Sequence, residues 1–427
     1  MRLQLGRAPS LVLAALALSS TIAFAEDRAE VSTSVFAEQR EGGKGGLTVI
    51  HPQADLETDI GKHVTLGLGY SADAVSGATA TVYQVDATTS ATGFTDLRHE
   101  GQLALGFHGR RSSLTFSSTI GTERDYLSRQ FGGTATIDLP GRNTTVSLAY
   151  SHSYDLVCDK NNENLMPLQR RALVGDDPCA KKALLFGEDS EDMGGNLLTT
   201  WRPLSIDTAA VTITQNISPT MNMQLALYGQ ILEGFQSNPY RRVRVGSNSP
   251  QEHIPDTRDR WSVTARMNRY LPKLRGAAHF SARFYDDTWH VLGGDLELAY
   301  SQYLGTGLLA HFRVRAYQQT AAAFFKDAFY YETESTAGEY FTGDRELSPV
   351  RSALAGAKLT LISVGEDKPV WGLFDKLQFN LKGDLLLLFP VAADDVAGNP
   401  MGIDKQFLNG ASLLDAFVLQ LGLLGNY

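Results

Sequence analysis

The sequence predicts an all-β chain, a transmembrane antiparallel up-and-down β-barrel of about 16 strands with short periplasmic turns and long outer loops. Three observations predict it: strict apolar/polar alternation in runs of about ten residues, connections that are short and long by turns, and an export leader at the start.

The alternation is clearest in "KLQFNLKGDLLLLF", where Leu377, Phe379, Leu381, Leu385, Leu387 and Phe389 share one face and Lys376, Gln378, Asn380, Lys382 and Asp384 lie between them. A strand of period two with this pattern has one apolar and one wet face. The same pattern sets Leu308, Ala310, Phe312, Val314 and Ala316 against His311, Arg313 and Arg315, and Trp261, Val263, Ala265 and Met267 against Ser262, Thr264, Arg266 and Asn268. Met221, Met223, Leu225, Leu227 and Ile231 alternate likewise with Asn222, Gln224, Tyr228 and Gln230. Such runs begin near Arg28, Leu47, Lys62, Leu97, Ser113, Gln130, Asn143, Ile206, Met221, Arg258, Ala277, Leu292, Gly307, Val350, Lys376 and Ala411.

A soluble sandwich could use the same strands, and the connections decide between the two. Short turns such as "TDIGK", "LPGRN" and "SPT" alternate with segments near 74–95, 155–192, 235–257, 321–349 and 392–410. Short turns on one rim and long loops on the other are the outer-membrane arrangement, because backbone in lipid must be hydrogen-bonded in a closed sheet. The final run, "AFVLQLGLLGNY", ends on an aromatic and resembles the C-terminal signal read by the barrel assembly machinery.

Residues 1–25 carry Arg2 and Arg7, an apolar run Leu11–Leu18 and the small-residue pattern Ala23-Phe24-Ala25, which predicts a signal peptide and a barrel over 26–427. Removing the two arginines takes the net charge from −9 to −11, which argues against nucleic acid as a partner. The expected surroundings are outer-membrane lipid and lipopolysaccharide of a Gram-negative bacterium. The only cysteines, Cys158 and Cys179, fall in one predicted outer loop and predict a disulfide there.

Several stretches resemble a bacterial family of outer-membrane proteins defined only as a domain of unknown function: "DAVSGAT" from Asp73, "FTDLRHE" from Phe94, "NPYRRV" from Asn238, "PDTRDRWSV" from Pro255, "RFYDDTWHVLGGDLELAYSQYLG" from Arg283, "RAYQQTAAAFF" from Arg315 and "FTGDRELSPVRS" from Phe341. The resemblance implies a barrel and no activity. The family is also associated with gene neighbourhoods that contain a small lipoprotein, a thioredoxin-like protein and a flavin-attaching enzyme, which makes a periplasmic lipoprotein or redox partner an expectation of the resemblance.

The alternation points Arg266, Arg283, Arg313 and Arg315 into the lumen together with Asp295 and Glu297. If the lumen is open, this charge wall makes a transverse field that favours small charged or zwitterionic solutes; if the charges pair across strands, they fill a closed lumen instead. In the outer loops, Tyr240, Arg241, Arg242 and Arg244 form a basic cluster suited to phosphate or to a salt-bridged rim. The aromatic segment 321–341 suits a pore constriction or a docking surface. The stretch "YDDTWH" offers Asp286, Asp287 and His290 as a weak cation site, since hard cations take carboxylate oxygens. The preferred reading makes it a rim turn, with Trp289 as an interfacial aromatic and Asp286 and His290 in water. The acidic residues Asp155 to Asp192 lack the spacing of a calcium loop.

No GxSxG, HExxH or GxxxxGK[ST] motif occurs, and no stretch calls for a cofactor. Three functions remain in order of preference: a non-enzymatic barrel that passes or binds a small polar solute or partner, an envelope scaffold for periplasmic redox or lipoprotein partners, and an outer-membrane hydrolase.

Overall fold

The computed structural model describes residues 27–39, 47–78, 93–123, 126–160, 199–238, 252–325, 338–365, 369–389 and 415–427. Sixteen strands follow in chain order: β1 (Arg28–Gln39), β2 (Leu47–Asp59), β3 (Val64–Ala78), β4 (Gly93–His108), β5 (Ser112–Thr122), β6 (Tyr126–Asp138), β7 (Thr144–Lys160), β8 (Thr199–Ser218), β9 (Met221–Gly234), β10 (Thr257–Leu271), β11 (Gly276–Asp287), β12 (Leu292–Tyr303), β13 (Leu308–Gln319), β14 (Val350–Val364), β15 (Lys376–Phe389) and β16 (Asp415–Asn426). Each pairs antiparallel with its sequence neighbours, and β1 pairs with β16 from Arg28↔Asn426 to Gln39↔Asp415, closing the barrel. Closure leaves no strand edge, so every ladder group has a partner within the sheet.

The outside of the barrel is apolar. Leu296 and Leu298 on β12 are each 57% exposed, and Phe312 and Val314 on β13 are 54% and 55% exposed. Apolar side chains so widely uncovered, strand after strand, make a surface suited to lipid. Outward aromatics gather in two bands: Tyr150, Tyr154, Trp261 and Phe284 toward one rim, and Phe107, Tyr270, Tyr303 and Tyr427 toward the other. None of the described helices is long and apolar enough to cross a membrane.

One rim has tight turns, at 60–63, 109–111, 139–143, 219–220, 272–275 and 304–307, and one longer connection at 365–375. Gly141 supplies the left-handed backbone (φ 91°) that the turn after β6 needs, and Arg142 follows it at φ 55°, its N–H donating to Leu139 O at 2.9 Å. The opposite rim carries the long connections, interrupted by two short ones at 123–125 and 288–291.

Most strand starts fall within a residue or two of the sequence expectation. Four differ more: β4, β6 and β8 begin earlier, and β16 later, than the alternation predicts. β7 and β8 explain the difference physically, since their ladder continues to Lys160↔Thr199, past the point where the lipid-facing pattern stops. Asp155 and Cys158, expected in an outer loop, therefore stand in β7.

Candidate functional site

The inward faces of β10 to β15 build a continuous polar wall. Alternation orients it: with Phe280 and Phe284 outward on β11, His279, Ser281 and Arg283 face inward, and with Leu296 and Leu298 outward on β12, Asp295 and Glu297 do too. Register then brings Arg283 opposite Asp295, and Glu297 opposite Arg315.

Charge pairing follows diagonals as well as rungs. Arg283 Nε donates to Asp295 Oδ2 at 2.7 Å, and Arg315 Nη2 donates to the same oxygen at 3.0 Å, so two cations share one carboxylate. Arg313 lies 3.7 Å from Glu297 and donates to Asp384 on β15 at 2.7 and 3.1 Å. This last pair skips a strand. It can do so because the intervening residue is Gly356, where an added Cβ would stand 2.0 Å from Asp384 Oδ1 and 3.2 Å from Arg313 Cγ. Lys382 also reaches Asp384 at 3.1 Å, giving a second carboxylate shared by two cations.

Nearer the tight-turn rim the wall continues as neutral hydrogen bonds. His279 Nδ1 lies 2.7 Å from Asn268 Oδ1, its Nε2 lies 3.0 Å from Ser301 Oγ, and Ser301 Oγ lies 2.9 Å from His311 Nδ1. Of the residues expected in the wall, Arg283, Asp295, Glu297, Arg313 and Arg315 thus meet one another. Arg266 stays apart from them, exposed on the inward face and donating to Gln224 at 3.4 Å. Asp384 and Lys382 were seen in the sequence only as the polar half of an alternation; the inward Asp384 inside "KGDLLLLF" was the available signal.

"YDDTWH" forms the rim turn between β11 and β12. Its two carboxylates lie on opposite faces of β11: Asp286 pairs in register with the outward Trp261, whereas Asp287 faces inward and its side chain is fully buried. Arg258 on β10 donates to Asp287 Oδ2 through Nε at 2.9 Å and also through Nη2, and Tyr285 donates to the same oxygen at 2.7 Å. The other oxygen accepts the N–H groups of Trp289 and Val291 at 3.0 and 2.9 Å. With every lone pair so used, Asp287 holds the turn, and among the described residues no group of three ligating side chains gathers for a cation.

Trp289 corrects the sequence reading most directly. Instead of lying in an interfacial band it is 5% exposed, packed with Ile254, Val291, Ala322, Phe325 and Leu347. The Arg258 guanidinium lies 4.1 Å from its ring centroid, and its indole N–H donates to Thr257 O at 2.9 Å. Two long connections supply the cover. They are tied to each other by paired backbone bonds between His253 and Phe341 at 2.7 and 3.1 Å and by Glu252, which accepts from Thr342 Oγ1 at 2.6 Å. The described parts of segment 321–341, Ala321–Phe325 and 338–341, belong to this cover.

The basic cluster of Tyr240, Arg241, Arg242 and Arg244 lies outside the described residues, as does Cys179. Cys158 is wholly buried at the far end of β7. Asp155, two strand positions before Val157, accepts from Ser128 at 2.8 Å and from Tyr126 and Ser153, which makes it part of the inner wall and not of a loose acidic loop.

A family model described as "Protein of unknown function (DUF3570)" matches residues 8–361, and the chain belongs to that family. The match ends within β14, so β15 and β16, which complete the barrel and carry Asp384, lie beyond it. No curated protein matches the chain. Among solved structures, a bacterial polysaccharide outer membrane secretin is similar at 6% identity and TM-score 0.49, over 95% of this chain and 99% of that one. OccK2 (OpdF) of Pseudomonas aeruginosa, in complex with glucuronate, is similar at 10% identity and TM-score 0.40, over 94% and 97%. The siderophore receptor PirA of Pseudomonas aeruginosa is similar at 11% identity and TM-score 0.42, over 93% of this chain and 63% of the receptor. Likenesses this low carry no functional weight; the closed sheet stands on its own pairing.

Proposed function

We propose that the protein is a non-enzymatic barrel of a Gram-negative outer membrane whose lumen passes or binds a small polar solute, the tight-turn rim facing the periplasm and the long-loop rim facing outward. One observation carries the reading. The inward-facing Arg266 is exposed, and the Arg283 side chain, also inward, is 42% exposed despite its bond to Asp295, so water reaches the wall at mid-barrel. A lumen filled by its own charge pairs would cover these groups. Single-channel recording on the purified protein in planar bilayers tests it: discrete conductance steps support the reading, and a silent bilayer containing folded protein contradicts it.

The leader and the cysteines belong to the same proposal. Residues 1–25 are removed, so the mature chain begins at Glu26 and the barrel machinery inserts it. Cys158 and Cys179 are joined, which by the chain-entropy model stabilises the intervening loop by roughly 3 kcal/mol. Mass spectrometry of unreduced mature protein checks both; a retained leader or two alkylatable thiols contradicts them.

A second reading, a scaffold for a periplasmic lipoprotein or redox partner, has one observation in its favour. The longest connection of the tight-turn rim, 365–375, holds Trp371 and Leu373 at 72% and 70% exposure. Aromatic and aliphatic side chains so uncovered form either a membrane-interface anchor or a docking point. Crosslinking from position 371 in intact cells separates the two, since an anchor yields lipid adducts only.

A further inference from the structure

We infer that the lumen carries an electric field across its width and favours solutes bearing both charges, of the class of amino-acid and short-peptide zwitterions; this rests on the open-lumen reading above. The basic side of the field is the wall already described. At mid-depth it holds Arg266, Arg283, Arg313, Arg315 and Lys382 against Asp295, Glu297 and Asp384, with each aspartate shared by two cations.

The opposing side is on β1 to β4. With Val31, Leu56, Leu68 and Leu103 outward, the alternate positions Glu30, Asp55, Asp73 and Glu100 face inward. Arg28 pairs with Glu30, Arg98 with Glu100 at 2.9 Å and His51 with Asp73 at 2.6 Å, while Asp55 accepts from the neutral Gln53 at 2.6 Å. Carboxylates therefore exceed arginines on this arc, the reverse of the other.

Closed topology sets the two arcs against each other. In a ring of sixteen strands β2 and β3 stand eight strands from β10 and β11, so Asp55 and Asp73 face Arg266 and Arg283 across the lumen. The strands between them on one side, β5 to β8, put neutral groups such as Ser117, Gln130, Ser147, Thr208 and Thr212 inward at mid-depth, with the buried Asp155 nearer the long-loop rim, and do not cancel the separation. A low-dielectric wall focuses such a field, and a dipolar solute aligned with it gains at both ends, whereas a solute of single charge gains at one end only.

The test is entry into proteoliposomes of four small solutes: diglycine (zwitterion), N-acetylglycine (anion), glycinamide (cation) and arabinose (neutral). Diglycine is expected to enter faster than either singly charged analogue by on the order of tenfold. Asp55→Asn with Asp73→Asn should abolish that preference and raise N-acetylglycine entry, with heat-modifiable gel mobility retained as the fold control. Arg266→Gln with Arg283→Gln should abolish it from the other side and raise glycinamide entry, which keeps the test intact if the first variant does not fold. Entry of all four at similar rates overturns the inference and leaves the open lumen standing. Entry of none, from folded protein, overturns both.

Discussion

Two arginine–aspartate pairs, each with one member on β11, have the same chemistry and different surroundings. Arg258 and Asp287 lie beneath the cover of two long connections, their side chains 13% and 0% exposed; Arg283 and Asp295 lie at mid-barrel, 42% and 8% exposed. At the first, five donors converge on one carboxylate and a turn is fixed. At the second, one carboxylate serves two arginines and leaves positive charge facing water. A charged pair in a barrel wall thus acts as a structural clamp when covered and as a source of field when open.

The largest expected effect breaks the clamp. Asp287→Ala strands Arg258 under Trp289 and should cost about 3–5 kcal/mol, as for any buried pair losing one partner. Urea unfolding in detergent, followed by tryptophan fluorescence, should show a lower midpoint, together with faster proteolysis within 320–349. Asp295→Ala should lower it less, because both of its arginines retain water. Equal losses would erase the distinction between the pairs.

Facing sharpens it next. Leu298→Lys puts a charge on the outer surface near the middle of β12 and should cost about 2–4 kcal/mol. Ser281→Lys, inward and opposite Glu297 in register, should fold into vesicles with wild-type yield. If both insert equally well, the outward assignment of Leu298 on β12 is wrong; if Ser281→Lys also fails, the inward assignment of β11 is wrong.

Gly356→Ala should come third. Its methyl group cannot share the space taken by Asp384, so the strand-skipping Arg313–Asp384 pair must move, at about 1–3 kcal/mol; unchanged stability and unchanged selectivity together would count against the pair. Smallest is the rim. Asp286→Ala with His290→Ala should leave stability within about 0.5 kcal/mol, and calorimetry should detect no divalent cation bound by either protein. A stoichiometric metal lost in the variant would restore the cation reading of "YDDTWH".

How much of this was legible in the sequence depends on range. Strand existence and facing were, because period-two alternation is local: Arg283, Asp295, Glu297, Arg313 and Arg315 fell on the inward face as read. Partner choice was not, because it depends on register across strands. Nothing near Arg313 announces Asp384, and only the absence of a side chain at Gly356 lets them meet. Trp289 was misread for a related reason. Its place in the rim turn suggested an interface, but its cover comes from Ile254 and Leu347, supplied by connections that precede and follow it in the chain.

On the proposed open lumen, the β10–β13 wall projects fixed positive charge into water. Reversal potential under a salt gradient tests this most directly, comparing wild type with Arg283→Glu combined with Arg313→Glu. A shift toward cation preference is expected in the double variant, since close charges in a confined lumen are weakly screened, with Asp286→Ala plus His290→Ala unchanged beside it. A conducting wild-type barrel whose selectivity is indifferent to the arginine reversal would contradict it.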